Sequence, residues 1–225
     1  MQQLLLNLGV IKTPSLNSFV TGKNEELMQL LHQFATRKSE DHFVYIWGEN
    51  AVGKTYLLQS LASYPLARYI SATANQNAFV HDMSTTLYLI DDCDKLDEEK
   101  QVLAFNLFNH IKTHKHFLAS TGQAAPSHLS IRDDLKSRLS WGLIYRVHHL
   151  TDDEKIAALT HHANNCGMKL GTGVLNYLIN HYPRDMHSLL LILNALDKYS
   201  LETKRAITLP LLLDLLQNSK ISKNE

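Results

Sequence analysis

The chain has 225 residues, with 22 Lys+Arg against 22 Asp+Glu and a pI near 7.2. The length leaves room for one large domain, or a medium one plus a small one, and a composition 44% hydrophobic and 20% charged excludes wholesale disorder. Zero net charge carries no global nucleic-acid signature, no apolar run reaches the roughly 20 residues of a membrane span, and two cysteines, Cys93 and Cys166, make neither a disulfide framework nor a zinc spacing. The start, MQQLLLNLGVIK, lacks the positive n-region of a secretory signal. Reduced thiols and no export signal make the cytoplasm the expected address.

Residues 1–18 are irregular and read as a leader outside the core. Asn24-Glu25-Glu26 then caps a helix with Leu27, Leu30, Leu31 and Phe34 at helical spacing. His42-Phe43-Val44-Tyr45-Ile46-Trp47 is a short apolar run before a glycine, the pattern of a buried strand. A helix follows Gly53, with Leu57, Leu58 and Leu61 on one face. Further strands are expected at 67–70, 86–90, 117–120 and 143–147, and helices at 97–113 and 131–139. From Thr151-Asp152-Asp153-Glu154, a capping-box start, the pattern becomes purely helical. Pro210 opens the last helix at its first turn. Alternating strands and helices imply an α/β, doubly wound, mostly parallel sheet of five strands, followed by a small all-α domain. The expected divisions are a tail at 1–13, an α/β domain at 14–149 and a helical lid at 150–225.

Gly48-Glu49-Asn50-Ala51-Val52-Gly53-Lys54-Thr55 fits GxxxxGK[ST] throughout, and lies between an expected strand and an expected helix. Such a loop turns its amides inward around phosphates, with a helix N-terminus behind them. Lys54 then reaches the β- and γ-phosphates, and the Thr55 hydroxyl sits on Mg²⁺. Leu87-Tyr88-Leu89-Ile90-Asp91-Asp92 is an apolar strand ending in acids. Asp91 would hold the Mg²⁺ shell through water, and Asp92 would polarise the attacking water. The bland alternative has Asp91, Asp92 and Asp94 capping the next helix. The implied cofactors are ADP or ATP with Mg²⁺.

The two phosphate motifs, together with Phe117-Leu118-Ala119-Ser120-Thr121 and Leu135-Lys136-Ser137-Arg138-Leu139-Ser140-Trp141-Gly142-Leu143, resemble the AAA+ ATPases of the bacterial initiator DnaA group. Within that group the likeness is closest to the branch that inactivates DnaA. The lid is the last module, and Gln3-Leu4-Leu5-Leu6-Asn7-Leu8 resembles the hexapeptide with which that branch docks on the DNA sliding clamp. The resemblance implies that Gln3, Leu4, Leu6 and Leu8 engage the clamp, the β subunit of DNA polymerase III. It puts sensor 1 at Ser120 or Thr121, and an arginine finger acting in trans at Arg138. It puts sensor 2 at Arg184 and the adenine pocket at Phe19, Val20 and Gly22, with Tyr56 behind the phosphate loop. Arg138 could instead be a surface residue paired with Asp134, and Arg184 one paired with Asp185. Cys93 reads as a small core filler, and His110, His114 and His116 as partners of a helix C-terminus.

The implied function is regulation of replication initiation. An ADP-bound protein with at most weak ATPase activity of its own would dock on clamp-loaded DNA and promote ATP hydrolysis by DnaA. DNA is then reached only through the clamp, and a homodimer or homo-oligomer is compatible with sites completed between subunits. The alternatives are an independent AAA+ motor or helicase loader, a DNA-binding relative without enzymatic activity, and a P-loop metabolic kinase.

Overall fold

Side chains alternate between the two faces of a strand, and here that alternation divides the apolar residues between two separate cores. In a computed structural model describing residues 14–221, Val44, Ile46, Leu87 and Leu89 point into one buried cluster, shared with Leu31, Phe34, Leu57 and Leu61. Phe43, Tyr45, Tyr88 and Ile90 point into the other, shared with Ala104, Leu107, Phe108 and Leu135. A sheet covered on both faces needs near-continuous apolar strands, which is what these runs provide.

The strands are β1 (Phe43–Trp47), β2 (Ala67–Ile70), β3 (Leu87–Ile90), β4 (Phe117–Gly122) and β5 (Leu143–Arg146). All pairings are parallel, in the order β2-β3-β4-β1-β5. The connecting helices are α1 (Glu25–Ala35), which precedes the sheet, then α2 (Lys54–Ala62), α3 (Glu98–His114) and α4 (Asp133–Leu139). From β1 the chain crosses to the far edge at β2, steps back through β3 and β4 to the side of β1, and then passes to β5; the crevice where that direction reverses is where open α/β sheets bind ligands.

Two expectations need correction. Leu16 is only 2% exposed and belongs to the first core, so the segment before α1 is part of the fold from at least that residue. Asn24 occupies the N-cap position of α1 but its side chain caps nothing there. It is buried and grips the peptide of His148 from both sides, donating through Nδ2 to the His148 carbonyl (3.1 Å) and accepting from its N–H (2.7 Å). A capping residue can be read from local sequence, whereas a partner 124 positions away cannot.

The compact units divide between His149 and Leu150. The second holds α5 (Asp152–Asn165), α6 (Val174–His181), α7 (Met186–Thr203) and α8 (Leu209–Ile221) around its own core of Leu159, Leu178, Leu189, Leu193 and Leu211. Thr151 and Glu154 form the capping box that starts it, each side chain taking the other's backbone N–H. No helix among the described residues is long and apolar enough to cross a membrane.

Candidate functional site

The parallel register brings three strand ends together. Trp47 of β1 pairs with Gly122 of β4, and Ile90 of β3 pairs with Ser120. The loop after β1, the two acids after β3 and Thr121 therefore share the carboxyl edge of the sheet. The loop's glycines are required by contact as well as by conformation. A Cβ on Gly48 would lie 2.9 Å from the Val147 carbonyl oxygen. One on Gly53, which has φ +100°, would lie 2.8 Å from the Phe19 ring. Phe19 and Tyr56 flank the loop, their rings 6.2 Å apart.

Lys54 is 6% exposed, and its ammonium donates to the carbonyls of Gly48 (2.7 Å) and Glu49 (2.8 Å). Burial draws its pKa down, while Asp92, Asp94 and Asp91 pull it back up. Thr55 is exposed in the first turn of α2.

Asp91 is 4% exposed, and both its carboxylate oxygens are occupied. Oδ1 accepts from the Thr121 hydroxyl (2.5 Å) and Oδ2 from the Tyr69 hydroxyl (2.7 Å). The same Thr121 oxygen accepts the N–H of Asp92 at 2.9 Å. Of the two candidates at the end of β4, Thr121 is the one whose hydroxyl joins this network. Tyr69 was not among the expected site residues. Burial and its bond to Asp91 raise its phenol well above the ordinary value.

Asp92 has the left-handed backbone φ 54°, ψ 54°, uncommon outside glycine. Its Oδ2 accepts from Lys95 Nζ at 2.6 Å, a second partner the sequence reading missed. Neither Asp91 nor Asp92 caps the next helix. That position belongs to Asp97, whose side chain takes the Lys100 N–H. Gln123 joins the two halves of the site, its N–H donating to Asp94 and its side-chain amide to Asn50. Cys93 is fully buried, and burial pushes its thiol far up, as befits an inert filler.

Arg138 lies at the other edge. It ends α4 just before β5, beside the start of β1, so the length of a five-residue strand separates it from its own phosphate loop. Its guanidinium carbon is 4.6 Å from the Phe105 ring centre and 4.3 Å from that of Trp141, and its Nε donates to Asn109 at 3.0 Å. Asp134 is taken by Arg132, which corrects the pairing considered for Arg138. Nearby, His81 stacks against His110, His114 and His116 at 4.6–5.6 Å between ring centres. The expected role of those three at a helix end overlooked His81, which reaches them from a distant loop.

In the helical unit, Arg184 is exposed and pairs with Asp152 at 3.4 Å. Its neighbour Asp185 caps α7 through the Ser188 N–H, which excludes the pairing weighed for it. Val20 is partly buried. Gln3, Leu4, Leu6 and Leu8 lie outside the described residues.

Comparison with known proteins decides the family. Residues 12–146 match the family model of the bacterial DnaA ATPase domain. The chain belongs to the bacterial DnaA ATPase family. Residues 152–216 of this DnaA-family chain match a second model, the lid domain of Hda. The pairing of the two models is what the sequence resemblance implied, and it places the chain among DnaA-related AAA+ replication proteins. An uncharacterized protein of Haemophilus influenzae is 34% identical over 222 residues, covering 93% of this chain and 96% of that one.

Solved structures agree on the fold. Domain III of the replication initiation protein DnaA from Thermotoga maritima superposes with a TM-score of 0.73 at 20% identity, over 93% of this chain and 98% of that one. AMPPCP-bound DnaA from Aquifex aeolicus gives 0.68 at 20% identity, over 87% and 68%. The Holliday junction branch migration motor RuvB of Thermotoga maritima gives 0.65 at 16% identity, over 96% and 73%. The five-stranded AAA+ core with a helical lid is thus the architecture of this DnaA-family chain.

Proposed function

We propose that this protein regulates replication initiation in the manner of Hda: nucleotide-bound, tethered to the sliding clamp, it supplies Arg138 to the nucleotide site of DnaA and promotes hydrolysis there. The observation that carries this reading is the position of Arg138. It lies a strand's length from its own phosphate loop, and Nε is its only hydrogen-bonding nitrogen among the described residues. The aromatic rings and Asn109 hold the side chain while its terminal nitrogens remain available. An arginine so placed suits a neighbour's phosphates, and a finger in trans is worth about 10³–10⁵ in rate.

The protein's own site suits ADP or ATP. Amides of the loop from Gly48 to Thr55 would cradle the phosphates, as the helix N-terminus behind them favours anions. Lys54 would exchange its two carbonyl partners for phosphate oxygens. Phe19, Val20 and Tyr56 would line the base side, and Arg184 is the residue that the family resemblance assigns to sensor 2. Asp91 fits a divalent cation, since it is a buried carboxylate paired with two hydroxyls and no cation. With Thr55 it would hold Mg²⁺, Asp91 through water, and the metal would neutralise charge on the phosphates. Ser120, beside Thr121, would lie under this edge.

On this reading residues 1–13 are a clamp-binding tail, with Gln3 in a polar subsite and Leu4, Leu6 and Leu8 against apolar ones, in the extended mode of peptide recognition. Residues 14–149 form the nucleotide domain and 150–225 the lid. The partners are the clamp and DnaA, a second copy is compatible with the same face, and the compartment is the cytoplasm.

The test mixes the protein with DnaA-ATP on clamp-loaded DNA. Arg138→Ala lowers stimulated hydrolysis by at least about 100-fold, in line with the worth of a finger, and leaves clamp binding intact. Hydrolysis equal to that of the unsubstituted protein overturns the reading. A motor with its own turnover has less support, because the carboxylate that would orient its water is already engaged by Lys95.

A further inference from the structure

The acids after β3 differ in what holds them. Asp91 is buried between two neutral hydroxyls, whereas Asp92 faces outward and holds a cation. The cation arises from the local turn. Residues Cys93–Lys95 form a single 3₁₀ turn, closed by the Lys95 N–H on the Asp92 carbonyl at 2.9 Å. The turn brings Lys95 back to Asp92, whose own backbone is left-handed, and the Lys95 ammonium closes on the carboxylate at 2.6 Å. The other end of Asp92 is fixed as well, since its N–H is bound to Thr121 Oγ1. The bond to Asp92 keeps Lys95 firmly protonated.

We propose that Lys95 is a positioning residue that restrains intrinsic nucleotide hydrolysis, by holding the Asp92 carboxylate away from the attacking water. This rests on the reading that the phosphate loop binds ATP. In hydrolysis, the water oxygen bonds to the γ-phosphorus while the bond from that phosphorus to the β–γ bridging oxygen breaks. ADP leaves with the bridging oxygen, and the water's proton is passed to an acceptor carboxylate. Asp92 is that acceptor only when one of its oxygens faces the water. Lys95 competes for this carboxylate from within the same turn, its ammonium 2.6 Å from Oδ2.

The restraint is moderate, because the Lys95 side chain is 52% exposed and that of Asp92 27%. Exposed ion pairs are weak and salt-screened. Releasing this one raises the intrinsic rate about 3- to 5-fold, the range set by an exposed pair. The arrangement suits a protein whose useful state is nucleotide-bound.

The experiment compares the full chain with Lys95→Met, Lys95→Arg, Asp92→Asn and Lys95→Met/Asp92→Asn. Single-turnover ATP hydrolysis is followed alongside binding of fluorescent ADP and ATP. Lys95→Met hydrolyses faster, with both affinities within about 2-fold of the unsubstituted chain. Lys95→Arg restores the slow rate, and Asp92→Asn cancels the gain. Raising the ionic strength speeds the unsubstituted chain towards Lys95→Met, a response that a merely structural role of Lys95 would not produce.

An unchanged or slower Lys95→Met overturns the proposal. So does a selective loss of ATP affinity, which would make Lys95 a γ-phosphate ligand instead. Failure of the underlying reading looks different: neither the unsubstituted chain nor any variant binds nucleotide, and both inferences fall together.

Discussion

The two edges of the sheet are built from the same five strands, but their central side chains are held differently, although a cation also lies on an aromatic face at the carboxyl edge, Arg146 over Trp47 at 5.3 Å. At the carboxyl edge a buried acid, two hydroxyls, a lysine and backbone groups satisfy one another within hydrogen-bonding distance. At the amino edge cations lie on aromatic faces. Arg138 sits over Phe105 and Trp141, and Lys112 lies 4.0 Å from the same Trp141 ring centre. The first arrangement is directional, and losing one member leaves buried polar atoms unmatched. The second tolerates small shifts and leaves donor nitrogens free. The carboxyl edge is suited to holding a ligand of its own, and the amino edge to presenting a charge to something else.

Three perturbations separate the edges, beginning with the largest. Gly142 has φ +72°, and a Cβ there would lie 2.1 Å from the Phe43 carbonyl oxygen. Gly142→Ala strains the backbone and forces β1 away, costing about 3 kcal/mol or more. Denaturant unfolding will show the lower midpoint, while the folded fraction keeps its nucleotide affinity. Thr121→Val comes next. It leaves Asp91 Oδ1 and the Asp92 N–H without their partner, at about 1–3 kcal/mol. Unlike Gly142→Ala it also weakens the nucleotide site, which titration with fluorescent ADP will read.

The smallest effect is a pH dependence of the amino edge. Burial first, then neighbouring imidazoles, hold His81 below its ordinary value, with Asp82 opposing. His116 is lowered by burial and then by His114. Such groups are neutral when folded and take up protons on unfolding. Their share of stability is full above about pH 6.5, the free-imidazole value, and drains as the pH falls below it. Urea midpoints at pH 7.5 and 5.5 will differ less in His81→Leu than in the unsubstituted chain. Equal differences would remove the cluster from the account.

What the sequence disclosed follows the same division. Gly48 to Thr55 and Leu87 to Asp92 were legible because each is a contiguous stretch on a strand end, and short, nearly unbroken apolar runs were enough to place the strands. The partners of those residues were not. Tyr69 and Thr121 stand 22 and 30 positions from Asp91, and only the strand order and register bring them together. Leu16 was misread because a short segment before a helix shows no periodicity, although a single leucine fills a core site. Lys95 was within local reach. Its spacing of three from Asp92 would have pointed to the ion pair had the 3₁₀ turn been recognised. Arg138 was identified by resemblance, while its cradle of Phe105, Asn109 and Trp141 became visible only when α3 and α4 were seen side by side.

The buried ammonium of Lys54 has a consequence for how a ligand enters. Because it already bridges the carbonyls of Gly48 and Glu49, an arriving phosphate meets an occupied cation. On the proposed reading, binding would therefore be a substitution, in which phosphate oxygens would displace the two carbonyl oxygens and those carbonyls would turn to new donors. The net gain would then be a difference between two sets of contacts.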